Sequence, residues 1–363
     1  MGLLDMLGIK TSIPTTKKNS QILDKTSTKN TIALIGTMRV GKSTHVGGLL
    51  ITANTYVKLT KNSVFKFKCI PNDAGTNLLE CAADLGAGKF PQATASGQKI
   101  DELPTLTLEW SYEPTGKAII GWTKQAIMPI LDLAGEDLVR LITQVNNAED
   151  PDQITDMKAI KELTTIVKHA SALLIVIKIT RSKALAGAHY EPEPTSITGM
   201  SQYSDVNLVH MILEIAKYKH RNPMAPALRR IGVVVTALDK IPNISKQLEI
   251  MGDEPFDPLD PTFSEESLEK LVSAAYPQTY AALVSLGLQV NYFPSVFITE
   301  KDRNGNELYW DPETKKSPKI KLRSIRDPEH PENAWHNNMN KPQYSEAFYL
   351  KEIEWLKEFA ELK

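Results

Sequence analysis

Gly36-Thr37-Met38-Arg39-Val40-Gly41-Lys42-Ser43 completes the pattern GxxxxGK[ST], and the residues on either side supply the setting in which that pattern works. Two glycines free the backbone so that N–H groups can converge on anionic oxygens, while the positive end of a following helix faces the same point. Upstream, Thr31-Ile32-Ala33-Leu34-Ile35 is an apolar β-branched run of strand length; downstream, Lys42 to Leu50 has the composition of a helix start. In this arrangement Gly36, Arg39, Val40, Gly41, Lys42, Ser43 and Thr44 cradle a polyphosphate. Lys42 reaches its outer phosphates, and the Ser43 hydroxyl ligates magnesium.

Moving outward, four apolar runs have the character of buried parallel strands: Thr31–Gly36, Ile127–Leu133, Ala172–Thr180 and Ile231–Thr236. Helical periodicity separates them, over Lys42–Ala53, Asp156–His169, Asp205–His220 and Ser264–Ala275. It is strongest over Ser345–Leu362, where Phe348, Ile353, Leu356, Phe359 and Ala360 mark one face. Alternation of strand and helix predicts an α/β fold with a mostly parallel, doubly wound sheet, helices on both faces and ligands at the carboxyl ends of the strands. Thr105–Tyr112 alternates with period two and predicts an antiparallel edge strand; Asn291–Thr299 reads as a last strand. Asn304-Gly305 is a turn signal for a hairpin reaching Trp310.

Two more constellations follow the phosphate loop. Asp132-Leu133-Ala134-Gly135 is a DxxG immediately after an apolar run, and Thr236-Ala237-Leu238-Asp239-Lys240 ends the run Ile231 to Val235. Strand, GxxxxGKS, helix, then strand and DxxG resembles the translation-factor-related class of P-loop GTPases. That resemblance implies a P-loop NTPase fold, GTP or GDP with Mg²⁺ as cofactor, and specific roles for residues here. Asp132 would hold the magnesium through water, and the Gly135 amide would sense the γ-phosphate. Thr236 and Asp239 match the [NT]KxD element, whose carboxylate takes two hydrogen bonds from guanine, with Lys240 beside it. Ala237 departs from that element, which weakens the choice of guanine over adenine. Ser295 and Val296, ending the last strand, are the candidates for the loop around the base.

Between the phosphate loop and DxxG, Phe90-Pro91-Gln92-Ala93-Thr94 resembles the (W/F)Px(x)T element of bacterial double-GTPase groups, which makes Thr94 the candidate to close over magnesium, with Thr105 and Thr107 as competitors. Those groups also favour the Gly135-Glu136-Asp137 sequence. Small Ras-like GTPases place a glutamine where this chain has Glu136. A carboxylate beside a γ-phosphate predicts slow intrinsic turnover. Arg39 occupies the position of the loop arginine in the guanylate-binding-protein and atlastin group. That resemblance implies an arginine finger engaged when two nucleotide faces meet. The catalytic candidates are therefore Lys42, Arg39, Glu136 and Thr94, and the metal ligands Ser43, Thr94 and Asp132.

The bulk numbers restrict the alternatives. In 363 residues, 42 basic and 43 acidic side chains nearly cancel, and basic clusters such as Lys315–Lys321 lack interleaved aromatics, so nucleic acid is not an expected partner. Two cysteines, Cys69 and Cys81, form no disulfide framework, and no apolar run is long enough to span a membrane, which points to the cytoplasm. Residues 1–10 read as a short apolar segment and 11–30 as a flexible tether. The expected nucleotide domain covers 31–300, with insertions at about 57–88 and 150–229 where partner or assembly surfaces belong. Residues 301–363 supply the hairpin, a loop and the amphipathic helix. Membrane contact is expected only through a partner or the N-terminal segment. The leading expectation is a GTPase switch read by a protein effector or by self-association. An assembly or mechanochemical NTPase, or a nucleotide-binding scaffold with little turnover, are the alternatives.

Overall fold

The computed structural model describes residues 31–37, 40–60, 63–71, 76–86, 105–114, 122–129, 170–187, 190–191, 204–223, 227–253, 263–296 and 347–361. Its centre is a four-stranded parallel sheet in the order β1 (Thr31–Gly36), β6 (Ala170–Lys178), β7 (Arg230–Thr236), β8 (Gln289–Ser295). Every residue from Ala170 to Ile177 is buried, which is why this strand reads as an unbroken apolar run instead of an alternating one: both of its faces are covered.

Parallel neighbours require crossovers, and the helices provide them. Helix α1 (Lys42–Thr55) follows β1, α2 spans Thr76–Gly86, and α3 (Ser204–Arg221) links β6 to β7. Helices α4 (Ile244–Met251), α5 (Glu265–Ala275) and α6 (Pro277–Ser285) lie between β7 and β8, and α7 (Ala347–Glu361) comes last. Helices α1, α2 and α7 form one packed group and α3, α5 and α6 another, one on each face of the sheet. Local chemistry sets the starts of two of them. The Ser264 hydroxyl accepts the Ser267 amide at the head of α5, and Pro277 occupies the first turn of α6, where its missing N–H is not needed.

A second sheet is antiparallel, in the order β2 (Val57–Thr60), β3 (Ser63–Pro71), β4 (Thr105–Pro114), β5 (Trp122–Pro129), and it meets the first where β5 lies beside β1. Two expectations change here. The run expected as a buried parallel strand over Ile127–Leu133 is instead the end of β5, paired antiparallel with β4; residues 130–133 lie outside the described residues. The connection 115–121 is too short for a crossover, so antiparallel pairing is forced. Strand β4, expected at an edge, runs between β3 and β5. The missing neighbour was β3, whose Phe65, Phe67 and Cys69 point inward while Lys68 and Ile70 are exposed. Strands β2 and β3 and helix α2 fall within the stretch expected as an insertion at 57–88.

Helices over Lys42–Ala53, Asp205–His220, Ser264–Ala275 and Ser345–Leu362 appear within two residues of their expected ends, whereas Asp156–His169 and the hairpin after Asn304 lie outside the described residues. Cys69 and Cys81 form no disulfide. Among the described residues no helix is long and apolar enough to cross a membrane.

Candidate nucleotide site

At the carboxyl end of β1 the chain turns through the glycine loop into α1. Lys42, the first residue of the helix, folds back so that its ammonium group donates to Gly36 O at 2.9 Å and to Thr37 O at 3.0 Å. At 6% exposure this cation is almost fully desolvated, and the two carbonyls hold it at the interior of the loop. Gly41 sits at φ +94°, a left-handed conformation that a side chain resists. From there its carbonyl accepts the His45 amide at 2.8 Å, closing the first helical turn. The first amides of a helix have no partners in its own ladder, and this turn, which carries Lys42, Ser43 and Thr44, directs them toward the loop.

The third motif is tied to the same loop. The Thr236 hydroxyl, at the end of β7, lies 2.7 Å from Val40 O and 3.1 Å from Ile177 O and donates to this pair of carbonyls. Its methyl side faces Gly41. Ala237 then adopts φ +60°, and Leu238–Lys240 form a single 3-10 turn. Along that turn the Asp239 carboxylate pairs with Lys240 Nζ at 3.1 Å, both side chains being 13% exposed. The fold thus brings Gly36, Val40, Gly41, Lys42 and Thr236 together, with Ser43 and Thr44 on the adjoining turn and Asp239 and Lys240 just beyond the strand.

Ser295 ends β8 and Val296 follows it, but both are buried, and the Ser295 hydroxyl turns inward to His45 Nδ1 at 3.2 Å and Tyr349 Oη at 3.4 Å. Arg39, Thr94, Asp132, Gly135 and Glu136 lie outside the described residues.

The carboxyl end of β6 adds cations that the sequence reading passed over. Lys178, the register partner of Thr236, pairs with Glu191 at 2.5 Å, and Arg181 donates to Glu191 O at 3.1 Å. Tyr276 donates to Lys178 O at 2.6 Å, fastening α5's end to this edge. The signal was available in Lys178 and Arg181, two cations closing an otherwise apolar strand at the end where ligands bind. His45 is also more than a loop neighbour. It is fully buried and its Nε2 lies 3.0 Å from Glu352 Oε1 on α7.

No family model matches the chain, and no curated protein matches it. Among solved structures it is similar to one described as the signal recognition particle receptor SRb-GTP/SRX complex from Chaetomium thermophilum, at 11% identity over 75% of this chain and 92% of that one. The TM-score is 0.29.

Proposed function

We propose that this chain binds GTP and GDP with Mg²⁺, hydrolyses GTP slowly, and serves as a conformational switch for a protein partner. The observation that carries the reading is the desolvated Lys42 ammonium held inside a glycine loop by Gly36 O and Thr37 O. The donor set fits a polyphosphate: a buried cation, a left-handed glycine and a helix N-terminus converge. Lys42 would exchange its carbonyl partners for phosphate oxygens, gaining charge-assisted bonds. Ser43 would offer its hydroxyl to the metal, which supplies charge neutralisation at the phosphates when bound. Asp132 is proposed as the metal's outer ligand and Thr94 as the group that closes on it. Glu136 is proposed to orient water and Arg39 to stabilise developing charge.

Guanine is the proposed base because Asp239 follows Thr236 at the required spacing and stands just past the loop. Its pairing with Lys240 supports a carboxylate held in a fixed direction before a base arrives.

Calorimetric titration with GTP, GDP and ATP in magnesium tests the reading. GTP and GDP are expected to bind, ATP at least about tenfold more weakly, a difference of about 1.4 kcal/mol. Lys42→Ala is expected to abolish binding, and Asp239→Asn to weaken GTP while leaving ATP unchanged. Equal affinity for GTP and ATP defeats the choice of guanine, and undiminished binding by Lys42→Ala defeats the phosphate loop itself.

A further inference from the structure

His45 belongs to the first turn of α1, where its amide bonds to Gly41 O, but its ring is spent elsewhere. Nδ1 meets Ser295 Oγ at 3.2 Å and Nε2 meets Glu352 Oε1 at 3.0 Å, and the ring lies 5.3 Å from that of Tyr349. His45, Glu352 and Tyr349 are fully buried and Ser295 nearly so. One imidazole therefore joins the phosphate-binding turn, the carboxyl end of β8 and the C-terminal helix. A carboxylate only accepts, so Nε2 carries the proton it donates to Glu352, and Nδ1 accepts from the Ser295 hydroxyl.

An arrangement chosen for stability alone would not look like this. A buried carboxylate is costly to desolvate, and apolar side chains of similar volume usually serve a helix contact as well or better. Here Glu352 interrupts the buried stripe of Tyr349, Ile353, Leu356 and Phe359, and its Oε2 has no partner among the described residues. Its charge also reaches Cys69 on β3, whose thiol is pushed up first by burial and then by Glu352. Tyr349 is likewise pushed up, by burial first. Such a group is strongly directional: its one described bond holds His45, and His45 sits within one turn of Lys42 and Ser43.

The course of α7 gives the contact reach. The helix runs back along β8, with Tyr349 beside Ser295, Trp355 Nε1 donating to Asn291 Oδ1 at 3.0 Å, and Glu358 paired with Arg230 at 3.2 Å. Its first turns therefore lie at the loop end of the sheet and its last turns at the opposite end, where β7 begins.

We propose that Glu352, acting through His45, is a positioning residue for the phosphate-binding turn, so that docking of α7 and binding of nucleotide stabilise one another. This rests on the nucleotide reading above. Linkage makes the effect reciprocal: what holds α7 down improves the loop, and what fills the loop holds α7 down.

The test uses the full chain, with GTP and magnesium as the probe. Wild type is titrated first, and a chain that binds no GTP overturns the nucleotide reading and this inference with it. Hydrogen exchange over 347–361 is then followed with and without GTP, alongside GTP affinity for Glu352→Gln, His45→Gln and the double variant. The expected result is slower exchange of α7 in the presence of GTP. A Kd for Glu352→Gln raised about fivefold or more is expected with it, within the usual range of coupling between sites. The double variant should lose less than the sum of the singles, since the two residues act as one unit. A merely structural role predicts a lower unfolding midpoint with unchanged Kd and unchanged response of α7 to GTP, and that outcome overturns the proposal. Should Glu352→Gln fail to fold, wild-type exchange still decides, because an α7 indifferent to GTP refutes the coupling.

Discussion

The Thr236 hydroxyl approaches two carbonyls that belong to different parts of the chain, Val40 O in the phosphate loop and Ile177 O in β6. Both interactions are buried, so removing the hydroxyl leaves acceptors without water to replace it. Thr236→Val keeps the shape and deletes the bond. It is expected to cost about 1–3 kcal/mol in urea unfolding, the usual penalty for stranding a buried polar group, and to weaken nucleotide as well because Val40 is released. Loss of stability with unchanged affinity would show that the loop holds itself. At this scale the sequence was most legible where chemistry is local. Gly41 and Lys42 are adjacent members of one pattern and lie together in the fold. The partnership of Lys178 with Glu191, by contrast, depends on which side chain a later stretch of chain brings to the end of β6.

Helix α1 shows how an element can be built against its own propensity. Gly47 and Gly48 sit in its middle, where glycine costs about 1 kcal/mol relative to alanine. The reason is close packing: a Cβ on Gly48 would overlap the Tyr349 ring and hydroxyl on α7. Intrinsic propensity alone predicts that Gly48→Ala stabilises the protein. The packing predicts the opposite sign, a loss of about 1–3 kcal/mol by chemical denaturation, smaller in a Tyr349→Leu background. Periodicity identified α7 nearly to its ends, because an amphipathic stripe is a property of one segment. The same stripe contained Glu352, an acid among core positions, and that was the readable sign of a buried polar contact; its partner on α1 was not readable. Strand β3 could have been found too, from the alternation of Phe65, Phe67 and Cys69 with Lys66 and Lys68.

For the molecule as a whole, stability in alkali reports on burial at the end of the sheet away from the loop. Lys219, on α3, donates to Ala170 O at the start of β6, and burial lowers its pKa from 10.5 to about 8. Between those values the unfolded chain keeps a proton that the folded protein has lost, so this lysine makes stability rise with pH across that window. Cys69 acts in the other direction: burial, then Glu352, raises its pKa above the ordinary 9.0, so its contribution is present below pH 9 and lost above it. The Lys219 effect is therefore cleanest from about pH 8 to 9. Lys219→Met is expected to raise the urea midpoint at pH 7 and to flatten the rise between pH 8 and 9 relative to wild type. Parallel pH profiles for the two proteins would show that the ammonium is solvated in the folded state.

By itself the sequence determined the strand, loop and helix around Lys42, the apolar strands of the parallel sheet, and the helices with a strong stripe. Each of these follows from backbone freedom or from the period of burial within one short segment. Only tertiary structure decided that β4 is central to a second sheet, that Thr236 fastens the loop, and that Ser295 turns inward to His45 and Glu352. Those are pairings between residues far apart in the chain, and which partner a strand edge or a polar side chain meets is settled by three-dimensional packing, which no local pattern encodes.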